Sequence, residues 1–150
     1  MEEIKAGDIM IGNIVTVDNP QYHPKLKDVP LRVTGIQERS IQGEIECCVN
    51  LGHVNQKPNT YYDTYSQFLK FIHPIPLTED ILLKVGAKKV NHINGYIFWT
   101  FSDSKINKAH IDIYDYKTCY YGYSVNHCKH LHQLQNLLKS LTGNDLKIEV

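Results

Sequence analysis

Apolar and polar positions follow two different periods along the chain, and the clearer of the two is helical. Leucines with the spacing of one helix face recur at Leu131, Leu134, Leu138 and Leu141. Asn126 can accept a backbone N–H of a first turn, and Gly143 can adopt the left-handed conformation that ends a helix. The pattern predicts one amphipathic helix over residues 126–142, followed by a short strand over residues 146–150.

The first part of the chain alternates instead with the period of two that is typical of strands. Apolar and β-branched runs predict strands over residues 8–18, 31–36 and 40–47. A hairpin over residues 37–39 would join the second strand to the third. Within the third strand, we expect Ile41, Ile45 and Cys47 on one face.

Turn-forming residues divide these strands from one another. Residues 50–59 are polar and predict a loop, and apolar character resumes over residues 61–72. Short strands joined by turns about every ten residues favour a small barrel or curled sheet. We therefore interpret residues 1–74 as an SH3-like β-barrel.

The second part mixes both periods. Residues 73–77 contain two prolines and predict a stiff joint, after which Thr78 would cap a short helix that ends before Gly86. Four strands are predicted over residues 87–93, 96–101, 110–116 and 119–125. The dipeptide Asn94-Gly95 is a strong hairpin signal between the first two. Residues 75–150 are thus predicted to be an α+β domain, an antiparallel meander packed by the C-terminal helix.

Composition narrows the class of protein. Hydrophobic residues make up 42% of the chain and charged residues 21%, which is ordinary for a globular protein. No apolar run approaches the roughly 20 residues of a membrane span, and the acidic start of the chain lacks the apolar core of a secretory signal, so we expect a cytoplasmic protein. The net charge is zero, which disfavours tight binding to nucleic-acid phosphates.

Potential metal ligands are densest at His127, Cys128, His130 and His132. On a helix only His127 and His130 would share a face, so we interpret the cluster as an exposed polar face with the first turn and predict neither metal nor cofactor. Cys128 and His132, one turn apart, could form a Cys–His pair, but no nucleophile motif surrounds them. No catalytic residue is predicted, and a role other than catalysis is favoured. The four cysteines are expected to be reduced thiols.

Aromatic residues offer the more informative chemistry, because ten of the residues are tyrosines. Amphipathic rings on an exposed sheet suit protein interfaces or the stacking of bases. Two lysines, Lys88 and Lys89, lie near them in the sequence. The predicted binding residues are Tyr96, Trp99, Tyr114, Tyr116, Tyr121, Tyr123, Lys88 and Lys89.

Two stretches resemble segments of a protein family. Residues 75–86 resemble a "PIPLTEEILLKCGF"-like segment, and residues 130–143 resemble a "YVHQLQNLYFALTGEEL"-like terminus. Both are found in small uncharacterised proteins of Bacteroidetes-type bacteria, their prophages and mobile elements, which often begin with a strand similar to residues 11–15. Leu138 and Lys139 stand where that family has an aromatic pair, which alters the surface of the helix.

These observations support two functional hypotheses. The first is a non-enzymatic accessory protein of a phage or mobile element that binds another protein, or a second copy of itself, in the cytoplasm of a bacterial host. The alternative is a protein that binds a small ligand, a nucleotide or single-stranded nucleic acid through the tyrosine-rich sheet. No membrane association is predicted.

Overall fold

A computed structural model describes residues 4–18, 24–55, 65–91, 97–101, 111–114, 117–120, 123–146 and 148. The chain divides into two compact units, Met1–Ile75 and Pro76–Val150. Each unit contains a five-stranded sheet whose neighbouring strands pair antiparallel. Together with two short α-helices in the second unit, this is an α+β protein, as the sequence predicts.

The N-terminal unit contains β1 (Ile14–Val17), β2 (Leu31–Ile41), β3 (Glu44–His53), β4 (Tyr65–Phe68) and β5 (Ile72–Pro74). Their order in the sheet is β4-β3-β2-β1-β5. Single-turn 3-10 helices span Ala6–Asp8, Pro24–Leu26 and Leu69–Phe71. Among the described residues β4 and β5 form the two edges and do not pair with each other, so the sheet does not close into a barrel.

The core of this unit follows from alternation along its strands. Leu31 and Val33 share one face of β2 and are fully buried, as are Val49 and Leu51 of β3. The cluster they form is completed by Ile4, Ile9, Val15, Val17, Leu26 and Ile72. Because burying one such side chain contributes roughly 1.5–3 kcal/mol, this cluster is the main source of stability in the unit.

The hairpin predicted at residues 37–39 is wrong. Those residues lie inside β2, and the chain turns at Gln42 and Gly43, whose φ angles are 52° and 89°. Two consecutive positive φ angles between paired strands are typical of the two-residue type I′ turn. The charged residues that suggested a turn are instead exposed strand residues. Ile41 pairs with Glu44, so it does not share a face with Ile45 and Cys47 as predicted.

Two other strand boundaries also differ from prediction. The strand predicted over residues 8–18 is limited to β1, because the chain turns at Met10–Asn13 first. The Oδ1 atom of buried Asn13 accepts a hydrogen bond from the Met10 backbone N–H at 2.7 Å. The second difference is at the C-terminal end of β3, which extends to His53, into the stretch predicted to be a loop.

The C-terminal unit contains α1 (Glu79–Lys84), β6 (Ala87–Asn91), β7 (Ile97–Phe101), β8 (Ile111–Tyr114), β9 (Lys117–Tyr120), β10 (Tyr123–His127) and α2 (Leu131–Thr142). The strands form a meander in the order β10-β9-β8-β7-β6. The single strand predicted over residues 119–125 is wrong, because Tyr120 and Tyr123 pair with each other across two strands. The predicted Asn94-Gly95 turn lies outside the described residues.

The ends of both helices show what local sequence can determine. The Thr78 hydroxyl accepts a hydrogen bond from the Ile81 backbone N–H at 3.3 Å, and Gly86 follows α1 with a φ of 81°. Gly143, with a φ of 72°, ends α2 as predicted. The buried side of α2 carries Leu131, Leu134 and Leu138, as the leucine spacing predicts.

The start of α2 is predicted wrongly. Asn126 belongs to β10, and the helix begins at Leu131. The first turn is capped from within by Gln133, whose Oε1 atom accepts the backbone N–H groups of Lys129 and His130 at 2.9 and 3.2 Å. The terminal strand is also wrong where it is described, since Leu146 and Ile148 are outside any strand.

A short antiparallel bridge connects two segments of the C-terminal unit that are distant in sequence. Pro76 forms an antiparallel bridge with His130, and the Leu77 N–H donates to the Lys129 carbonyl oxygen at 2.9 Å. The segment before α1 is therefore held against the segment before α2. None of the helices in the described part of the chain has the length and apolarity that crossing a membrane requires.

Candidate protein-binding surface

The outer part of β2 and β3 extends beyond the rest of its sheet. Among the described residues, β1 pairs with β2 only at Leu31 and Arg32, and β4 pairs with β3 only at residues 48–51. The backbone of Val33 is bonded to Gly12 and Asn13. Beyond these contacts, residues 36–41 pair only with residues 44–49 of β3, and residues 44–47 pair only with β2, within the described part of the chain. We refer to residues 36–47 as the β2–β3 arm.

The arm exposes large apolar side chains. Ile45 is 72% exposed, Ile36 40% and Ile41 39%. Met10 and Ile11 are exposed as well, in the turn that bonds to Val33 where the arm begins. Among the described residues the other exposed large hydrophobic side chain is Leu83 of α1. Single exposed apolar residues are common, but such a concentration on one projecting hairpin is typical of an interaction surface.

The two faces of the arm differ in polarity. One face carries Ile36, Glu38 and Ser40 from β2, opposite Val49, Cys47 and Ile45 from β3. The other face carries Gln37, Arg39 and Ile41, opposite Cys48, Glu46 and Glu44. The first face is therefore mostly apolar with one carboxylate near its middle, whereas the second is mostly polar and charged.

Close packing at Gly35 and an ion pair of Glu46 connect the arm to the rest of the unit. A Cβ atom added to Gly35 would lie 3.1 Å from the Asn50 side-chain nitrogen, so the small residue allows this close cross-strand approach. On β3, Glu46 forms an ion pair with Lys70 at 3.2 Å. The Lys70 ammonium also lies 5.0 Å from the Phe68 ring centre, within the range of a cation–π contact.

Cys47 adds to the apolar character of the first face. Burial raises the pKa of its thiol above the ordinary value, and the neighbouring Cys48 and Glu38 raise that pKa further. The thiol is therefore protonated at neutral pH, where a neutral S–H behaves as a small apolar group.

The predicted aromatic site is only partly described. Trp99 is buried, with 8% of its surface exposed, and the Lys89 ammonium lies 5.8 Å from the centre of its ring. Lys89 is in turn paired with Glu79 at 2.7 Å. Trp99 and Lys89 thus pack within the C-terminal unit and do not present an open ring for stacking. Lys88 is exposed on β6.

The register of β8, β9 and β10 gives the positions of two predicted tyrosines. Tyr114 lies opposite Lys117, and Tyr123 lies opposite Tyr120. Tyr96, Tyr116 and Tyr121 lie outside the described residues. A shared tyrosine surface therefore stays a prediction.

The histidine and cysteine cluster is placed differently from its prediction. Cys128, His130 and His132 are buried, not exposed on a polar face. Cys128 precedes α2, so it is not one helical turn from His132. The His130 and His132 rings stack with centres 5.8 Å apart. Within the residues described, no three His, Cys, Asp or Glu side chains converge as metal ligands.

The sequence pattern does not identify the arm, because its alternation predicts two short strands and a turn. The available signal was the recurrence of isoleucine at positions 36, 41 and 45 among polar residues. No protein-family model, curated protein or solved structure matches the chain.

Proposed function

We propose that this chain is a non-enzymatic accessory protein of a phage or mobile element, acting in the host cytoplasm by binding another protein through the β2–β3 arm. The observation that carries this proposal is the exposure of Ile36, Ile41 and Ile45 on one hairpin. Leaving such side chains in water forgoes about 25 cal/mol for each Å² of apolar surface that a partner could cover. The family resemblance of residues 75–86 and 130–143 supports the phage or mobile-element origin.

We also propose that the N-terminal unit is an open variant of the SH3-like barrel fold with an extended hairpin. Support comes from its five antiparallel strands in the order β4-β3-β2-β1-β5 and from the single 3-10 turn that connects β4 to β5. In this arrangement the five-stranded sheet would hold the base of the arm rigid. A rigid base lowers the conformational-entropy cost of binding.

The experiment compares two lysine substitutions of exposed apolar residues. Ile45→Lys places a charge on the arm, and Leu83→Lys places the same charge on α1 of the other unit, where the side chain is 55% exposed. Each variant is used as affinity bait in host lysate, with circular dichroism to verify folding. We expect Ile45→Lys to lose the proteins that the unmodified chain and Leu83→Lys both retain. Equal retention by all three proteins would overturn the proposal.

A further inference from the structure

The open edge of β2 has a defined pattern of backbone donors and acceptors. In a two-residue hairpin the residues that flank the turn bond to each other, and bonded and outward-facing residues then alternate along each strand. Ile41 and Glu44 flank this turn. The N–H and C=O groups of Ile36, Glu38 and Ser40 consequently face outward, on the side where the described residues provide β2 with no partner beyond Val33.

Side chains along the same edge follow a symmetrical order. Exposed isoleucines stand at its two ends, Ile36 and Ile41, and an acidic and a basic residue, Glu38 and Arg39, stand between them. Neither Glu38 nor Arg39 takes part in a salt bridge within the described part of the chain. An added strand would therefore meet apolar, charged and apolar neighbours in succession.

We infer that the outer edge of β2, residues 36–41, accepts an extended segment of a partner protein as an additional antiparallel strand. Every strand pair in this sheet is antiparallel, and antiparallel pairing is slightly the more stable per residue. In that direction the segment carries an apolar residue, a polar one, an acid opposite Arg39, a base opposite Glu38, a polar residue and a second apolar residue. Backbone bonds would supply affinity, and the charge order would supply specificity. This inference rests on the proposed function and names the kind of segment that binds.

A second copy of the chain fits this edge poorly. In an antiparallel pair, outward-facing residues must lie opposite outward-facing residues. The two symmetric registers that overlap residues 36–41 most fully are centred on Glu38 and on Arg39. The first places Glu38 opposite its own copy, and the second does the same for Arg39, and like charges directly opposite each other are destabilising. Repulsion between like charges therefore disfavours pairing of this edge with a second copy. A strand with complementary charges can still pair with it.

The test uses a synthetic peptide with the core Val-Thr-Asp-Lys-Thr-Val and the ¹⁵N-labelled full chain. Amide hydrogen exchange is followed by NMR. Saturating peptide should slow exchange at Ile36, Glu38 and Ser40, whose N–H groups face outward. The amides of Gln37 and Arg39, which face β3, should keep their rates. Unchanged exchange at all five positions, or equal slowing at all five, would overturn the inference.

The charge order is tested with a second peptide, Val-Thr-Lys-Asp-Thr-Val. It should bind roughly threefold or more weakly, because it places like charges opposite each other. The double variant Glu38→Arg with Arg39→Glu should reverse the preference between the two peptides. Equal binding of both peptides, or a preference that the double variant does not reverse, contradicts the inference.

The outcomes separate the inference from the proposed function. Loss of partner capture in Ile45→Lys without amide protection by the peptide would retain the arm as a binding surface and reject strand addition. Protection at Ile36, Glu38 and Ser40 that depends on protein concentration without peptide would identify a second copy as the occupant and reject a separate partner.

Discussion

The two ends of β2 carry similar side chains and have opposite surroundings. Leu31 and Val33 at its base are fully buried, whereas Ile36 and Ile41 in the arm are exposed. The difference is not in hydrophobicity but in what covers each end: β1 and the rest of the core cluster cover the base, and the described residues leave the arm uncovered. Apolar residues in one strand thus stabilise the core at one end and, in the proposed function, contact a partner at the other.

The largest contrast should come from truncating one side chain at each end. Leu31→Ala creates a cavity in the core and should lower the free energy of unfolding by about 2–5 kcal/mol. Ile36→Ala removes a side chain that is 40% exposed and should lower it by about 1 kcal/mol or less. Urea unfolding followed by circular dichroism measures both. Similar losses in the two variants would mean that the arm is covered in solution.

The turn that holds the base of β2 provides the next contrast. Asn13→Ala removes the acceptor that bonds the Met10 N–H and should cost about 1–2 kcal/mol, since that part-buried N–H loses its partner. Met10→Ala is the control, because it keeps that N–H and changes only an exposed side chain. A loss in Met10→Ala as large as that in Asn13→Ala would assign the effect to apolar packing.

Two glycine substitutions test whether the turn of the arm requires a positive φ angle. A side chain on Gly43 would meet no atom within 4 Å, but its φ of 89° disfavours any residue with a Cβ atom. Gly43→Ala should therefore cost about 1–2 kcal/mol. Gly7 has equal space without a positive φ, so Gly7→Ala should be neutral or stabilise by up to about 1 kcal/mol. Thermal unfolding of the pair separates conformational strain from crowding.

The smallest expected effect concerns Cys47. Because its pKa is raised in the folded state, the thiol should react slowly with iodoacetamide near neutral pH, and Glu38→Gln should speed the reaction by less than roughly tenfold. The raised pKa also means that the stability this thiol contributes is present below its unfolded pKa and is lost as pH rises through the folded pKa. Alkylation rates measured by mass spectrometry, with Cys47→Ser as the blank, test the first statement. A slower reaction in Glu38→Gln would contradict it.

Sequence reasoning succeeded where structure depends on neighbouring residues. Thr78, Gly86 and Gly143 delimit helices through bonds and φ angles within one turn, and the leucine spacing identified the buried side of α2. It failed at Gln37–Arg39, because an exposed strand has the polar composition of a turn. It also failed at Asn126, since the choice between strand and helix there depends on pairing with β9.

The candidate site was harder to predict than the fold. Trp99 and Lys89 have the residue types of a binding surface. The Lys89 ammonium that lies over the Trp99 ring is, however, already paired with the Glu79 carboxylate. The arm is defined by the lengths of its neighbouring strands, because the pairing of β1 and β4 ends before the β2–β3 hairpin does. Pairing lengths between distant segments are not encoded in any short stretch of sequence.

The bridge between Pro76 and His130 bears on how the protein is made. A ribosome adds about 5–20 residues each second, so the segments that form the N-terminal sheet emerge several seconds before His130 does. Closing this bridge brings together segments that are more than 50 residues apart, as the pairing of β1 with β5 does in the first unit. During synthesis, the nascent chain should therefore expose a completed arm while the second unit is still unfinished.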